Sequence, residues 1–508
     1  MNREQTQLDL TRLKPTVRFR SYLNSIRMRE RGVAAGAIEV SVPARIALGL
    51  AILAYVVYIG RHSLLTQWAF GTGGFDIGIF DQGVWLLSRF KDPFITIMGV
   101  DLFGDHTSFI LLPLVPLYWI HPSASILLVA QTLALAGAAI PVFLIGRDRF
   151  RHEVLALGAA VAYLLHPAVA LTNLENFHPD PFEVPLVLFA LFFMLQRRWV
   201  PYFVFVVATL LVKEDVPLLI FGLGAYVAIR LDRKIGLATM AMAVAWFLLN
   251  ILVILPGFNE LGTLDAWRIP TAQFEDSGGL IKAVFTRPWE VAAIAFERER
   301  LWYLFQLLAP FAFLSLGGPG LTLAASGPLL SNLLSTFWYQ YNIGYHYTTL
   351  IVPVFVTAAI VGIAGFRDER VRRLLVGAMV LAAIASAWAW GPFGKLVSPD
   401  PNAEHPRAIR AALEKVPDDS VVSAFYAYVP HLAHREEIYE FPVPWEARNW
   451  GAFEEEGEEL DFTDRIEFVV VPPEGLSVGD RTILKDIAGD FSVVHDQDGI
   501  LVLSRVKP

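Results

Sequence analysis

The chain has 508 residues, of which 55% are hydrophobic and only 18% are charged, whereas a soluble domain carries about 25% charged residues. Its apolar residues are clumped into uninterrupted runs, which is typical of membrane spans and not of amphipathic helices. The formal net charge of −8 gives no support to nucleic-acid binding. The absence of cysteine excludes disulfides, thiolate metal sites and cysteine nucleophiles. Composition therefore predicts a polytopic α-helical membrane protein.

The N-terminal tail, residues 1–45, is polar and basic, with nine Lys/Arg against four Asp/Glu. It is far longer than the charged start of a cleaved signal peptide. We therefore expect a cytoplasmic tail that precedes an uncleaved first span.

Eleven apolar segments are predicted to cross the membrane within a transmembrane domain over residues 46–391, since a spanning helix needs about 20 residues. Segment 107–120 (TSFILLPLVPLYWI) is not counted, because it is short and contains two prolines; we expect a juxtamembrane or re-entrant helix there. The later basic clusters then fall on the side of the basic N-terminus, as the positive-inside rule requires. This topology, in the plasma (inner) membrane, places the C-terminus outside. The predicted spans lie near 46–60, 123–145, 154–172, 183–196, 199–212, 216–230, 235–255, 302–316, 320–337, 347–365 and 374–391.

The first outer loop, residues 61–122, contains GGFDIGIFDQGVW and DLFGDHTSF. These stretches bring five titratable residues into one loop: Asp76, Asp81, Asp101, Asp105 and His106. Glycines beside Asp76 permit tight turns, and the neighbouring apolar residues place its carboxylate at the membrane surface. A carboxylate there is expected to have a raised pKa that suits a general base.

Three further outer segments contain candidate substrate-binding residues. The segment NLENFHPDPFE contains Glu175, His178, Asp180 and Glu183, a short turn contains Lys213, Glu214 and Asp215, and FWYQYNIGYHY contains Tyr345 and His346. Charges at that depth tend to be paired or functional. Each segment also has a purely structural interpretation. The aromatic residues are typical of a belt at the membrane interface, and Lys213 could form an ion pair with Glu214 or Asp215. His106 and His178 could be hydrogen-bonded loop residues.

A divalent cation is a candidate cofactor, because His and carboxylate side chains at Asp105, His106, His178 and Asp180 could converge on one ion. No fixed ligand spacing in the sequence supports such a site. The sequence implies no other cofactor.

Residues 397–508 differ in character from the rest of the chain. The segment AIRAALEKV is helix-like, whereas DSVVSAF, IEFVVVPP and ILVLSRV are strand-like. Alternating elements predict a small extracytoplasmic α/β domain with a partly parallel sheet. A packing or substrate-gating cap is the simplest role for it, since a fold alone does not give function.

The layout of these motifs resembles the GT-C superfamily of membrane glycosyltransferases. It resembles more closely an uncharacterised family of predicted membrane proteins that is defined only as a domain of unknown function. The stretches FDIGIFDQ, GDHTSF, ENFHPD and KED carry the resemblance, which covers nearly the whole chain, including the C-terminal domain.

This resemblance implies a sugar donor carried on a polyprenyl phosphate and a carboxylate in the first outer loop as general base. That acid matches Asp76, with Asp81 as the alternative. The phosphate leaving group needs cations or hydrogen-bond donors, and Lys213, His178, Arg268 and His346 are candidates. The loop departs from many sugar-transferring relatives because it lacks an adjacent Asp-Glu pair, which puts the catalytic role in doubt.

The motifs together with this resemblance predict an inverting-type glycosyltransferase, embedded in the lipid bilayer, that moves a sugar from a polyprenyl-phosphate donor onto an extracytoplasmic glycan, lipid or protein. The alternative is a transporter or lipid-handling protein in which Lys213, Glu214 and Asp215 form a relay or substrate path. A third hypothesis is a non-catalytic assembly or sensor protein that uses residues 397–508.

Overall fold

A computed structural model describes residues 40–259, 277–448 and 457–506. Most of the predicted basic tail, Arg268 and part of the acidic segment EEEGEELD lie outside the described residues. The described chain is mostly helical, and the strands are confined to one short hairpin and one C-terminal sheet.

Long apolar helices form the membrane part of the protein. Five helices among the described residues are long and apolar enough to cross a bilayer. A sixth candidate is the pair Glu153–Leu164 and Pro167–Glu175, which is bent by 43° at Pro167, where the missing N–H interrupts the helical hydrogen bonds. The five helices are Val42–Trp68, Ala124–Phe150, Arg233–Phe258, His346–Ala364 and Glu369–Ala389.

The other predicted spans form shorter helices, so that the count of eleven stays a prediction. One reason for their shortness is visible after Leu308, where Ala312 and Phe313 adopt left-handed conformations and break the predicted span 302–316 into a helix and two short 3-10 turns. The shorter helices are Glu183–Leu195, Trp199–Leu210, Val216–Arg230, Ser277–Thr286, Pro288–Ala295, Arg298–Leu308, Pro319–Ala324 and Ser326–Leu334.

The segment expected to be juxtamembrane or re-entrant consists of a 3-10 helix, Phe109–Leu114, followed by an α-helix, Val115–Ile120. Pro113 and Pro116 lie in these two short helices, and neither proline can donate a helical hydrogen bond. The two helices together cover 12 residues, which is short of the roughly 17 needed to span a bilayer.

Helices Val216–Arg230 and Arg233–Leu249 form a close antiparallel hairpin. A Cβ at Gly236 would lie 2.1 Å from the backbone nitrogen of Ala228, and one at Gly224 would lie 2.8 Å from that of Met240. The hairpin therefore depends on small residues that let two backbones approach, as is common between membrane helices.

The 61–122 loop contains a two-stranded hairpin, β1 (Phe94–Ile95) and β2 (Val100–Asp101), and the helices Ile79–Ser88 and Leu102–Asp105.

The C-terminal residues form a five-stranded mixed sheet. Its strands are β3 (Val422–Ala424), β4 (Ile438–Glu440), β5 (Phe468–Val471), β6 (Phe491–Gln497) and β7 (Ile500–Arg505), and the helices of this region are Glu404–Leu413, Val429–Leu432 and Val478–Ile487. The strand order is β4-β3-β5-β7-β6. Strand β3 pairs in parallel with β4 and β5, whereas β7 is antiparallel to β5 and β6. All three predicted strand segments contribute strands to this sheet, and AIRAALEKV forms most of a helix.

Asp81 joins the C-terminal sheet region to the 61–122 loop. Its buried carboxylate accepts a hydrogen bond from the Tyr118 hydroxyl at 2.6 Å and lies 3.1 Å from His434 Nε2. The His434 ring stacks on Trp85, with ring centroids 5.9 Å apart. Burial alone lowers the pKa of His434, but attraction to Asp81 and the hydrogen bond with it outweigh this effect, so that the net pKa is raised.

We predict that Gly236→Ala destabilises the helical hairpin by about 1–3 kcal/mol, the usual cost of overpacking, because the new methyl group would overlap the Ala228 backbone. Thermal unfolding in detergent measures the effect. Gly377→Ala is the matched control, since a Cβ there meets nothing within 4 Å, and it should leave the melting temperature unchanged or slightly raised. Equal melting temperatures for the two variants would contradict the packing argument.

We predict that the contact of the C-terminal region with the loop weakens as pH rises. The pKa of His434 is raised on folding, so its pairing with Asp81 is fully present below the ordinary histidine pKa of about 6.5 and is lost as pH rises through the higher folded value. Hydrogen exchange over 429–432, corrected for intrinsic rates, should be faster at about pH 8.5 than at about pH 6. The same pH dependence in His434→Gln would refute this assignment.

Candidate functional site

Asp76 occupies a strained turn at the start of the 61–122 loop's second helix. Its backbone has φ 68° and ψ −95°, close to the rare γ-turn conformation, and such strain is often found at functional sites. The preceding glycines lie against the C-terminal region, where Gly74 N–H donates to the Tyr426 carbonyl at 2.7 Å. A Cβ at Gly74 would come within 3.0 Å of Val429. The C-terminal region thus holds the turn that presents Asp76.

The Asp76 carboxylate lies against residues of the segment NLENFHPDPFE. His178 Nε2 is 3.1 Å from Asp76 Oδ1, and Asn176 Nδ2 donates to Oδ2 at 3.5 Å. Burial raises the pKa of Asp76, but attraction to His178 and the hydrogen bond with it lower the pKa by more. The expected raised pKa is therefore wrong, because the sequence does not reveal the histidine that contacts this acid.

Two histidines stack beside this carboxylate. The rings of His178 and His346 have centroids 3.7 Å apart and an interplanar angle of 28°. His346 Nδ1 lies 3.3 Å from Glu175 Oε2, and its Nε2 lies 3.9 Å from Asp180 Oδ1. Residues that are far apart in sequence therefore form one cluster, with carboxylates on both sides of a pair of imidazoles.

Lys213 forms a buried ion pair with Asp180, with Nζ 3.1 Å from Oδ1, and not the expected pair with a sequence neighbour. Burial lowers the pKa of Lys213, but attraction to Asp180 and Asp215 raises it well above its usual value. The Asp180 pKa is lowered, since attraction to Lys213 outweighs burial. Burial raises the pKa of Asp215 to about 6.

Glu214, the middle residue of the KED stretch, pairs with the GDHTSF stretch. His106 Nδ1 lies 2.8 Å from Glu214 Oε1, and Thr107 N–H donates to Oε2 at 3.3 Å. Asp105 Oδ2 is 3.7 Å from His106 Nε2. Burial lowers the pKa of His106, but attraction to Asp105 and Glu214 raises it overall. His106 is therefore a cation over a wider pH range than a free histidine.

These groups border a cavity of about 580 Å³. One wall is aromatic: Tyr339 packs near Tyr345 and Tyr347, with ring centroids 5.9 and 5.8 Å away. The other lining side chains include carboxylates and imidazoles. The cavity is lined by Phe75, Asp76, Ile79, Phe80, Met98, Asp105, His106, Glu175, His178, Phe337, Tyr339, Tyr345, His346 and Tyr347.

The profile of a family described as predicted membrane protein (DUF2079) matches residues 66–502 of the chain. The chain belongs to this family. The match includes the 61–122 loop from residue 66 onward, the helices that follow it and nearly all of the C-terminal sheet, but not most of the helix Val42–Trp68. The site lies wholly within the match. A search of curated proteins finds no match.

Solved structures of ArnT from Cupriavidus metallidurans, a GT-C glycosyltransferase, are similar to this chain. The structure of ArnT bound to undecaprenyl phosphate aligns with a TM-score of 0.51 at 14% identity, over 89% of this chain and 98% of ArnT. The apo structure aligns over the same shares at 14% identity with a TM-score of 0.46. At this identity the similarity establishes a related fold.

Most of the residues that the sequence singled out lie at this cavity or directly behind it. The lining includes Asp76, Asp105, His106, Glu175, His178, Tyr345 and His346, and Asp180, Lys213 and Glu214 pair with lining residues or with each other. Asp81 does not line the cavity and instead contacts Tyr118 and His434. Asp101 caps the helix Leu102–Asp105 by accepting from Phe103 N–H at 2.7 Å.

Two further residues support the site: Glu183 was named from the sequence in the segment NLENFHPDPFE, whereas His434 was not named from the sequence. Glu183 is buried and accepts a hydrogen bond from the Thr349 hydroxyl at 2.7 Å, which places a further acid beneath the cluster. His434 anchors the loop that carries Asp76. An acid at the start of an apolar run is a usable sequence signal for Glu183, whereas nothing local identifies His434.

One group among the described residues has the composition and spacing of a metal site. Ligand atoms of Glu175, His178 and His346 all lie within 4.8 Å of one another. His178 belongs to the set expected from the sequence, but its partners in this group are different from Asp105, His106 and Asp180.

We predict that Lys213→Met destabilises the protein by about 3–5 kcal/mol, since it leaves the buried Asp180 carboxylate without its cation. The double variant Lys213→Met/Asp180→Asn should recover part of this loss. Thermal unfolding in detergent provides the measurement. Lys91→Met is the control, because its ion pair with Glu436 is exposed and contributes at most about 1 kcal/mol. A Lys213→Met loss no larger than the control loss would contradict a stabilising buried pair.

Proposed function

We propose that this protein is a membrane glycosyltransferase that transfers a sugar from a polyprenyl-phosphate donor to an extracytoplasmic glycan, lipid or protein. The observation that carries the proposal is the cavity in which the Asp76 carboxylate and an aromatic wall line the same space. The fold similarity to ArnT, one structure of which contains undecaprenyl phosphate, supports the choice of donor. The proposed topology has the N-terminus in the cytoplasm and residues 397–508 outside the plasma (inner) membrane.

Asp76 is the proposed general base. An acceptor hydroxyl attacks the anomeric carbon of the sugar, and its proton passes to the Asp76 carboxylate as the new C–O bond forms. The bond between the anomeric carbon and the phosphate oxygen breaks, and the phosphate leaves with the electron pair. The lowered pKa of Asp76 keeps it ionised at neutral pH, and His178 holds its orientation.

Asp81 is the weaker candidate for the base. Both of its neighbours, Tyr118 and His434, hold it between the loop and the C-terminal region, and it does not line the cavity. Its proposed role is to position the loop on which Asp76 lies.

The donor phosphate requires positive charge or hydrogen-bond donors, which stabilise the charge that develops as it leaves. His106 lines the cavity and has a raised pKa, and Tyr345 and Tyr347, which carry hydroxyl donors, line the same cavity. The remaining proposed substrate-binding residues act through pairs: Asp180 with Lys213 and Glu214 with His106. Asp215 lies beside this network as a further charge that stabilises Lys213.

The aromatic wall suits the sugar. Tyr339 and Tyr345 line the cavity, and their rings form a packed group with Phe337 and Trp338. Aromatic side chains combine a large apolar contact area with a polar group, which matches the alternation of C–H and hydroxyl surfaces on a pyranose or furanose ring.

We predict that purified protein in lipid nanodiscs turns over at least one member of a panel of radiolabelled polyprenyl-phosphate hexoses and pentoses. Asp76→Asn should lower kcat by about 10²–10⁴-fold, the usual contribution of general acid–base catalysis; because the variant also removes the ion pair with His178, thermal unfolding is measured in parallel and kcat is determined below the onset of unfolding. Asp92→Asn is the matched control, because Asp92 is an exposed acid in the same loop, and it should retain wild-type turnover.

Turnover that is equal in Asp76→Asn and wild type would refute the role of Asp76. An absence of turnover and of binding with every donor would contradict the proposed reaction and favour transport or lipid handling.

A further inference from the structure

We propose that Glu175, His178 and His346 form a binding site for a divalent first-row metal ion of the Zn²⁺ type at the wall of the cavity. Two imidazoles and one carboxylate are a ligand set found in zinc enzymes, with further coordination positions left for water or substrate. All three side chains line the cavity. A bound ion would therefore keep an open position towards the space proposed for the donor.

The distances within the group are compatible with one ion. His346 Nδ1 and Glu175 Oε2 are 3.3 Å apart, about the ligand-to-ligand separation in a tetrahedral site with bonds of about 2.0–2.1 Å. Ligand atoms of the three residues lie within 4.8 Å of one another. Because the two rings are stacked with centroids 3.7 Å apart, at least one of them must rotate out of this stack for both to bind one ion.

The contact at Nε2 supports ligation by His178 through Nδ1. The Nε2 atom of His178 lies 3.1 Å from Asp76 Oδ1, whereas that of His346 lies 3.9 Å from Asp180 Oδ1, which is beyond hydrogen-bond distance. A metal-binding histidine usually donates its other ring N–H to a carboxylate, as His178 does to Asp76, and this fixes the tautomer and leaves the second nitrogen free to bind the metal.

The Nδ1 nitrogen of His178 has no hydrogen-bond partner among the described residues. His178 is only 6% exposed. A buried ring nitrogen without a partner is energetically costly. The Asp76 contact at Nε2 leaves the lone pair on Nδ1, so that a cation would satisfy it.

The charged groups that line the cavity also favour a bound cation, and this step rests on the proposed function. The described lining contains the carboxylates of Asp76, Asp105 and Glu175 but neither lysine nor arginine, and the Lys213 ammonium is already paired with Asp180. Imidazoles are therefore the only described cationic groups that an anionic donor would meet on this lining. A divalent cation would add positive charge and would bind a phosphate oxygen at its open position.

The test uses tag-free full-length protein in nanodiscs, stripped with a chelator and free of donor. Titration with Co²⁺ reports ligand geometry through its visible d–d absorption, and titration with Zn²⁺ gives affinity and stoichiometry by calorimetry. We expect one saturable site per chain, an absorption typical of a low-coordinate nitrogen and oxygen site, and a rise in melting temperature as Zn²⁺ binds the folded state.

Glu175→Gln is the decisive variant, because it preserves shape and hydrogen bonding while removing the charged ligand. Glu175→Gln and His178→Gln should each weaken Zn²⁺ binding by more than the roughly 100-fold that loss of an outer partner can cost, and should abolish both the Co²⁺ band and the Zn²⁺-dependent rise in melting temperature. His121→Gln is the control, since His121 is exposed at the end of the helix Val115–Ile120; it should bind as wild type does.

Absence of saturable binding to wild type, or binding that persists in Glu175→Gln and His178→Gln, would overturn the site. If a variant unfolds, the wild-type titrations still test the site. An octahedral Co²⁺ spectrum, or weak binding at several sites per chain, would indicate an adventitious ion only and would overturn the proposal. Because no donor is present, the result is independent of whether the protein transfers sugars.

Discussion

The structure above the membrane helices depends on pairing buried carboxylates with cations and imidazoles from other parts of the chain. Isolated buried charges are costly, and this region contains Asp76, Asp180 and Glu183 close to the apolar helices. Lys213 compensates Asp180, and His178 compensates Asp76. The residues of these pairs lie in loops and short turns between different helices, so the same contacts that make the charges tolerable also fix the relative positions of the helix ends.

The C-terminal region extends this arrangement to the 61–122 loop. Asp81 is held by His434, and the Gly74 backbone is held by Tyr426. Asp76 lies between these two contacts in sequence and adopts a backbone conformation that a free loop would seldom populate. The C-terminal region therefore shapes the cavity by holding the turn that carries Asp76, although none of its described residues lines the cavity. This is the packing role that was expected from the sequence.

Many residues of the cavity were predictable because they stand directly before or after apolar runs. Such residues lie at the ends of helices, and the ends of neighbouring helices lie close together. This reasoning identified Asp76, His178 and His346. Local sequence could not identify the partners, since His434 is 353 positions from Asp81 and Lys213 pairs with Asp180 instead of its neighbours. The pKa of Asp76 was predicted in the wrong direction for the same reason. The interrupted helix after Leu308 was also invisible, because apolar composition does not reveal left-handed residues at Ala312 and Phe313.

The central claim is that the cavity between Asp76 and the aromatic wall holds the phosphate and sugar of a polyprenyl-phosphate donor. A cryo-electron microscopy structure in nanodiscs with saturating undecaprenyl phosphate tests it most directly. We expect phosphate density within hydrogen-bond distance of His106 in the cavity, with the polyprenyl chain leaving towards the bilayer. Phosphate density at Arg230, at the opposite end of the helix Val216–Arg230, with an empty Asp76 cavity would contradict the account.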